Sequence, residues 1–260
     1  MRNDSDGLEN KTLLQKVQVI YEDSRIVVIN KPSGLSVHGD GFRSGITLVD
    51  WIHEHYPEMV GVGEEAHATH GAAIERPGIV HRLDKDTSGV MILARTSESY
   101  AFLKQQFMGR TVSKEYRAIV YGVPDNDSGT IDAPIGKSTQ GFRRRSARSP
   151  IGVVRDAVTE YIVREKFGER LGAPGGYALL SVFPKTGRMH QIRVHMAHIK
   201  HPVVCDSLYV PHRECPVEMG RLALHAANIE LEIDMGDTQR FEAPLPSDMV
   251  VFIESLRRTS

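Results

Sequence analysis

A polar segment between two apolar runs constrains the fold of this chain more than any other feature. His81-Arg82-Leu83-Asp84-Lys85-Asp86-Thr87-Ser88-Gly89 follows the apolar residues 78–80 and precedes the apolar residues 90–94. Apolar runs rich in β-branched residues are typical of buried strands. Residues 87–89 predict a turn, because hydroxyl groups bond the backbone and glycine tolerates a positive φ. We therefore expect Asp84 at the mouth of a rigid scaffold, where a carboxylate can meet a substrate.

Composition indicates a soluble globular protein, with 40% hydrophobic and 25% charged residues and no apolar stretch long enough to span a bilayer. The polar N-terminus lacks the apolar core of a signal peptide, so we expect a disordered tail over residues 1–15 and one folded domain over residues 16–260. Cys205 and Cys215 belong to no paired-cysteine motif. Reduced thiols in a cytoplasm are the simplest interpretation, and one disulfide is the alternative.

Strands dominate the predicted elements, and helices do not alternate with them regularly. The pattern predicts strands at 17–20, 26–29, 112–121, 153–163, 177–183 and 221–233, and helices at 48–56, 97–108, 187–199 and 248–258. This order favours an α+β fold with a mixed, largely antiparallel sheet over a doubly wound fold.

Six further segments accompany the segment around Asp84 in a fixed order. They are Tyr21-Glu22-Asp23, Lys31-Pro32-Ser33-Gly34-Leu35, Lys114-Glu115-Tyr116-Arg117-Ala118, Lys185 to His195, Leu224-His225-Ala226 and Ala243-Pro244-Leu245-Pro246. Together the seven segments resemble the RluA-like pseudouridine synthases, which isomerise uridine to pseudouridine in structured RNA. The resemblance covers nearly the whole chain. It implies the pseudouridine synthase fold, with a sheet in two halves and a central active-site cleft. We expect the catalytic domain to stand alone, with no separate RNA-binding domain before residue 16.

The reaction breaks the bond from N1 of uracil to C1′ of ribose, rotates the base and rejoins it through C5. One carboxylate can suffice, because no water attacks the sugar. The resemblance assigns this role to Asp84, which either attacks C1′ as a nucleophile or removes the C2′ proton as a base. An isolated aspartate at this place would be a turn residue. Asp86 occupies a variable position of the motif, so we interpret it as structural or solvent-facing.

Arg193 offers an argument from spacing, since the predicted helix carries it on an apolar stripe. The other members of that stripe are Met189, Ile192, Met196 and Ile199. A buried arginine needs a carboxylate partner. That partner is either Asp84, which a bidentate pair would keep ionised, or another acid in an ordinary structural ion pair. The resemblance implies the catalytic role.

The resemblance also suggests roles for four further residues. It implies that Tyr116 stacks on the target uracil and transfers a proton at C5, whereas an unplaced strand tyrosine is usually a core residue. Arg82 would fill the place of the flipped uridine or bind the adjacent backbone, instead of being a plain surface arginine. Lys31 would support the cleft, instead of being an exposed turn lysine. Leu224 would pack under the base pocket, which differs little from a core leucine.

The net charge of −1 is unexpected for an RNA enzyme, so positive charge must be local. Phe142-Arg143-Arg144-Arg145-Ser146-Ala147-Arg148 is the one dense basic segment. From charge alone it indicates a solvated loop. Beside the other motifs we interpret Arg143, Arg144 and Arg145 as phosphate ligands.

No cofactor and no metal are expected, because the chemistry is redox-neutral and the histidine clusters lack a zinc-binding pattern. The expected partner is RNA, ribosomal RNA ahead of transfer RNA, and the expected state is a monomer. A protein that binds and remodels RNA without isomerising it is the alternative. The sequence departs from the family at Cys205 and Val210, where glycines are usual. The departure concerns the local turn and RNA contact.

Overall fold

The computed structural model describes residues 12–39, 45–64, 66–67, 73–139, 144–168 and 175–258. The helices are α1 (Leu48–His55), α2 (Ser97–Gly109), α3 (Gln191–His198) and α4 (Ser247–Arg257), with a 3₁₀ turn at Pro57–Met59. The strands are β1 (Gln18–Glu22), β2 (Ile26–Lys31), β3 (Ala66–His67), β4 (Ala73–Ile74), β5 (Ser88–Ala94), β6 (Ser113–Tyr121), β7 (Ser128–Asp132), β8 (Ile135–Lys137), β9 (Arg145–Ser146), β10 (Ile151–Arg155), β11 (Val158–Phe167), β12 (Tyr177–Pro184), β13 (Leu224–Asp234) and β14 (Asp237–Glu242).

The chain divides into two compact units. The first unit comprises Met1–Val112 and Asn228–Ala243, and the second comprises Ser113–Ala227 and Pro244–Ser260. In the first unit the strand order is β1-β2-β5-β13, and β14 pairs with β13. The pairings β1–β2, β2–β5 and β13–β14 are antiparallel. Every residue of β5 is buried, as expected for an apolar run next to the motif of Asp84.

The second unit is built on the strand order β13-β6-β12-β11-β7, with antiparallel pairing along β6-β12-β11-β7. Its core contains the apolar residues of β6 and β12 together with those of α3 and α4. A separate three-stranded antiparallel sheet, β10-β8-β9, completes this unit and is called the small sheet below. The predicted α+β fold with a largely antiparallel sheet is confirmed.

Two predicted elements were wrong in their extent. The single strand expected at 153–163 is two strands, β10 and β11, which belong to different sheets and are separated by Asp156 and the fully buried Ala157. Asp156 and Ala157 are depleted in strands, so the break falls at the point of weakest strand propensity in the predicted element. Helix α2 agrees with its predicted extent, and the Thr96 side chain caps its N-terminus.

Helix α3 begins at Gln191, four residues after the predicted start. His190 adopts a left-handed conformation with φ of 57°, and the side chain of Gln191 accepts a hydrogen bond from the Arg188 amide at 3.0 Å. These contacts form a tight loop where the pattern predicts a helical turn. Met189 is therefore outside the helix and 41% exposed, so its place on the apolar stripe was wrong. Residues 191–196 are all buried, which makes α3 buried on all sides instead of amphipathic.

The expectation of reduced thiols was also wrong. Cys205 and Cys215 form a disulfide with their Cα atoms 4.7 Å apart. The segment between them folds back on the second unit, where the Tyr121 hydroxyl donates a hydrogen bond to the Glu214 carbonyl at 3.1 Å. Because a spacing of ten residues is not a motif, only the path of the chain brings the two cysteines together.

Candidate active site

Asp84 lies in a tight turn that immediately precedes β5. The Thr87 amide donates a hydrogen bond to the Asp84 carbonyl at 3.1 Å, which closes a four-residue turn over Lys85 and Asp86. The predicted turn at residues 87–89 was wrong, because Ser88 and Gly89 already belong to β5. The predicted strand at residues 78–80 is reduced to one bridge between Ile79 and Leu93. Asp84 is half-buried at the start of a buried strand.

The buried side chain of Lys31 holds the backbone of this turn in place. Its side chain is fully buried, and its ammonium group donates hydrogen bonds to the carbonyls of Pro32 at 2.9 Å, Leu35 at 2.8 Å and Lys85 at 3.1 Å. Hydrogen bonds from a charged donor contribute about 1.5–3 kcal/mol each. Lys31 therefore fixes the backbone next to Asp84, and it is neither an exposed turn lysine nor placed to touch a ligand directly.

Two further hydrogen bonds join the segment after Lys31 to the turn. The Gly34 amide donates to the Lys85 carbonyl at 2.9 Å, and the Ser33 hydroxyl donates to the Asp86 carbonyl at 2.7 Å. Gly34 has a φ of 87°, a conformation that favours glycine. The turn is thus held at two successive carbonyls, whereas the Asp86 residue itself is exposed to solvent. This placement agrees with a structural or solvent-facing Asp86.

Arg82 is exposed and donates a hydrogen bond from Nη1 to Nε2 of His38 at 2.9 Å. Nδ1 of His38 lies 2.8 Å from the Gly39 carbonyl. An imidazole that accepts at Nε2 and donates at Nδ1 is neutral. Desolvation by the surrounding chain lowers the pKa of Arg82, and the Asp84 carboxylate opposes this shift. Residues 82–84 do not form a strand.

His81 contacts two neighbouring elements of the first unit. Its Nε2 accepts a hydrogen bond from the Ile92 amide at 3.0 Å, and its ring stacks on Phe107 with centroids 4.6 Å apart. The residue thus ties the start of the motif to β5 and to α2.

Arg193 is buried in the second unit and forms a bidentate pair with Asp206. The Nε–Oδ2 distance is 2.7 Å and the Nη2–Oδ1 distance is 2.8 Å. The guanidinium also lies over the ring of Tyr209, 5.2 Å from its centroid. The sequence predicted the burial of Arg193 and the need for a carboxylate, but it did not identify Asp206. The signal was present in the segment Cys205 to Val210, which matches the family's Gly-Asp and Tyr-Gly pairs in part.

Asp206 is only 1% exposed, and the backbone satisfies its carboxylate further. The amides of Leu208 and Tyr209 both donate to Oδ1 at 3.1 Å. Cys205, directly before it, has a φ of 58°, a left-handed conformation in which glycine is favoured. This backbone fits the glycine that the resemblance leads us to expect at position 205. Here a cysteine adopts it with its side chain bound to Cys215.

Tyr116 and Leu224 also lie in the second unit. Tyr116 is half-buried on β6 opposite Val182 of β12, and it packs against the core of the unit. Leu224 is 3% exposed in the same core, at the first position of β13. Leu224 is thus a core residue at the position where the resemblance expects the floor of a base pocket.

Two of the three arginines predicted to bind phosphate have contacts within the protein. Arg144 donates from Nε to the Leu208 carbonyl at 2.6 Å. The Arg145 amide donates to the Tyr209 hydroxyl at 3.0 Å, and its guanidinium donates to the Met189 sulfur at 3.1 Å. Arg143 lies outside the described residues. Arg144 and Arg145 therefore fasten the basic segment to the loop that holds Asp206.

The predicted site residues are distributed over both units. Lys31, Arg82 and Asp84 lie in the first unit. The second unit contains the other described site residues, which are Tyr116, Arg144, Arg145, Arg193 and Leu224. Among the residues that the structure describes, no three His, Cys, Asp or Glu side chains are grouped to hold a metal ion, and no helix is long and apolar enough to cross a membrane.

Comparison with known proteins identifies what the chain resembles. Residues 25–198 match the family model described as RNA pseudouridylate synthase. An uncharacterized RNA pseudouridine synthase of Bacillus subtilis is 37% identical over 93% of this chain and 73% of its own length. Ribosomal large subunit pseudouridine synthase D of Pseudomonas aeruginosa is 37% identical over 94% of this chain and 72% of its own length. The structure of human RNA pseudouridylate synthase domain containing 4 superposes with a TM-score of 0.68 at 25% identity, covering 98% of this chain and 97% of that one.

Proposed function

Since this chain belongs to the RNA pseudouridine synthase family and is an isomerase that converts uridine to pseudouridine in RNA, we propose that Asp84 is its catalytic carboxylate. The observation that carries this proposal is the turn of Asp84, which Lys31, Ser33 and Gly34 hold at the start of β5. A fixed backbone presents a side chain with little loss of entropy on binding. Attack on C1′ and removal of the C2′ proton both need a carboxylate beside the ribose, and Asp84 is proposed to supply it.

The reaction balances without an added reactant. The bond between N1 and C1′ breaks, the uracil rotates, and C5 bonds to C1′. The proton leaves C5 and a proton is bound at N1, so the product is an isomer of the substrate. The Tyr116 hydroxyl is proposed to accept or relay the C5 proton, and its ring to stack on the uracil. Neither a redox cofactor nor a metal ion is required by these steps.

The other predicted residues are proposed to prepare this step. Arg82 would take the place of the flipped uridine, because it is exposed two residues before Asp84. Arg193, which forms a bidentate pair with Asp206, is proposed as a residue of the catalytic site, as the resemblance implies. Leu224 supplies apolar surface beneath the base.

The proposed substrate is large-subunit ribosomal RNA, with transfer RNA second. The names of the relatives from Pseudomonas aeruginosa and Vibrio parahaemolyticus, both ribosomal large subunit pseudouridine synthase D, support this order. We further propose that the protein acts as a monomer in the cytoplasm, where ribosomal RNA is available for modification.

The test compares Asp84→Asn with Asp86→Asn. Both substitutions remove one carboxylate from the same turn, but only Asp84 is proposed to react. Each protein is incubated with an in vitro transcript of large-subunit ribosomal RNA, and pseudouridine is mapped by carbodiimide-dependent reverse-transcription stops. The expected result is loss of product with Asp84→Asn, retained product with Asp86→Asn, and RNA binding by both.

Two outcomes would contradict the proposal. Product formation by Asp84→Asn would show that another group performs the chemistry. Binding of RNA without product by the unmodified protein, on every transcript tried, would favour a protein that remodels RNA. The same mapping on ribosomal RNA from cells with and without the gene identifies the modified uridine.

A further inference from the structure

The two units differ strongly in charge, although the whole chain is close to neutral. The first unit contains 13 Lys and Arg against 20 Asp and Glu, and the second contains 19 against 13. The formal net charge is therefore −7 for the first unit and +6 for the second, and the two sum to −1 for the whole chain. A polyanion such as RNA would be attracted to the second unit. Basic residues within that unit differ in whether a carboxylate already neutralises them.

In the second unit, most basic side chains on or next to β6, β11, β12 and α4 are paired with acids. Three exposed examples are Lys166 with Asp127 at 2.6 Å, Lys185 with Glu160 at 2.8 Å, and Arg257 with Glu165 at 2.7 Å. The small sheet is different. In the described part of the chain, no ion pair involves Lys137, Arg145, Arg148 or Arg155. Lys137, Arg148 and Arg155 are exposed as well.

The register of the small sheet adds a second observation. Lys137 of β8 lies directly opposite Arg145 of β9, so two cations face each other across neighbouring strands. Like charges in this position destabilise a sheet. An anion held between them removes that repulsion, which makes the pair suited to a phosphate group. The guanidinium of Arg145 keeps its orientation through the Met189 sulfur and the Arg144 carbonyl at 3.2 Å.

The edge strand β10 completes the surface. All five of its residues are exposed, including Ile151 at 46%, Val153 at 75% and Val154 at 44%. Its register is irregular, and Gly152 has a φ of 70°. An edge with a bulge and flanking cations is poorly suited to pairing with another strand. The same cations are suited to a phosphate backbone.

We propose that the small sheet is a binding surface for the phosphate backbone of the substrate RNA, with Lys137, Arg145, Arg148 and Arg155 as its phosphate ligands. This proposal adds an RNA-binding surface to the proposed function. It rests on that function only for which RNA is bound. Because the contacts are to phosphates, the small sheet supplies affinity and orientation without reading the base sequence. It extends the described part of the basic segment, residues 144–148, onto β8 and β10.

The experiment compares two triple variants that lose the same charge within the same unit. The first is Lys137→Gln with Arg148→Gln and Arg155→Gln. The control is Lys166→Gln with Lys185→Gln and Arg257→Gln, whose side chains are 49%, 52% and 55% exposed and paired with acids. The dissociation constant for a transcript of large-subunit ribosomal RNA is measured from 50 to 400 mM KCl. Product formation at saturating RNA and binding to phosphatidylglycerol vesicles are measured in parallel.

The small-sheet variant should bind RNA up to about 100-fold more weakly at 0.1 M salt, with a salt slope shallower by about 2, because each lost phosphate contact removes about 0.7–0.9 from that slope. The control should keep the slope of the unmodified protein. Equal weakening of RNA binding in both variants would show that only the net charge of the protein matters, and it would overturn the proposal. Unchanged RNA binding in both variants would overturn it too. The same holds if the small sheet binds the vesicles but does not bind RNA. Failure of the unmodified protein to form pseudouridine would instead count against the proposed function.

Discussion

Removal of the Asp206 carboxylate tests how much the buried pair with Arg193 contributes to stability. In Asp206→Ala the Arg193 guanidinium, whose side chain is 7% exposed, loses two charge-assisted hydrogen bonds. The amides of Leu208 and Tyr209 lose their acceptor as well. Breaking a buried pair by removing one partner costs about 3–5 kcal/mol, since an uncompensated charge stays behind. We therefore expect the free energy of unfolding to fall by about 4 kcal/mol.

A second pair in the same unit provides a matched control. Arg221 and Asp248 have the same bidentate arrangement, with distances of 2.5 and 2.8 Å, but their side chains are 18% and 35% exposed. Asp248→Ala should cost only about 1 kcal/mol, because solvent reaches the charge that remains. Urea denaturation followed by circular dichroism measures both variants. Equal losses in the two would refute the reasoning that burial sets the cost.

An apolar replacement separates stability from activity at the same site. Arg193→Met combined with Asp206→Leu removes both charges, so no unpaired ion is left in the interior. Such replacements are often neutral or stabilising. We expect the double variant to recover most of the stability lost in Asp206→Ala and to remain unable to form pseudouridine. Recovered activity would show that Arg193 has no catalytic role.

Two predictions concern histidines. His195 is fully buried between the Thr159 hydroxyl and the Ala133 carbonyl, and desolvation lowers its pKa from the ordinary value of 6.5. The contribution of neutral His195 to stability is therefore complete above pH 6.5 and is lost as the pH falls through the lowered folded-state pKa. The midpoints of urea denaturation from pH 8 to 5 should show this loss. In His195→Gln the loss of stability over this pH range should be smaller. His38→Ala should slow pseudouridine formation about fivefold, equivalent to about 1 kcal/mol for one hydrogen bond, whereas His38→Gln, which can accept from Arg82, should restore most of the rate. Single-turnover rates check this, and an equal loss in both variants would exclude an orienting role.

The sequence predicted those parts of the fold that depend on local patterns. The β1–β2 hairpin, α1, α2 and β5 lie where periodicity and turn residues placed them, within one or two residues. The motif order also predicted the family. Apolar β-branched runs and capped helices are determined by neighbouring residues, so they can be read without tertiary information.

The parts that could not be predicted depend on contacts between distant residues. The bonds that hold the turn of Asp84 join it to residues about 50 positions earlier, and Asp206 lies 13 positions from Arg193. The late start of α3 results from the left-handed His190 and the Gln191 side chain, which no helix propensity describes. The break between β10 and β11 follows from the assignment of each strand to a different sheet.

The buried ammonium of Lys31 restricts how this chain can vary through evolution. Its ammonium group donates to three separate backbone carbonyls, those of Pro32, Leu35 and Lys85. Arginine has the same charge, but its larger guanidinium spreads its donors in one plane. Methionine fills a similar volume and has no donor. Position 31 and the loop over it can therefore change only together, so a homologue without this lysine must hold its aspartate by a different backbone path.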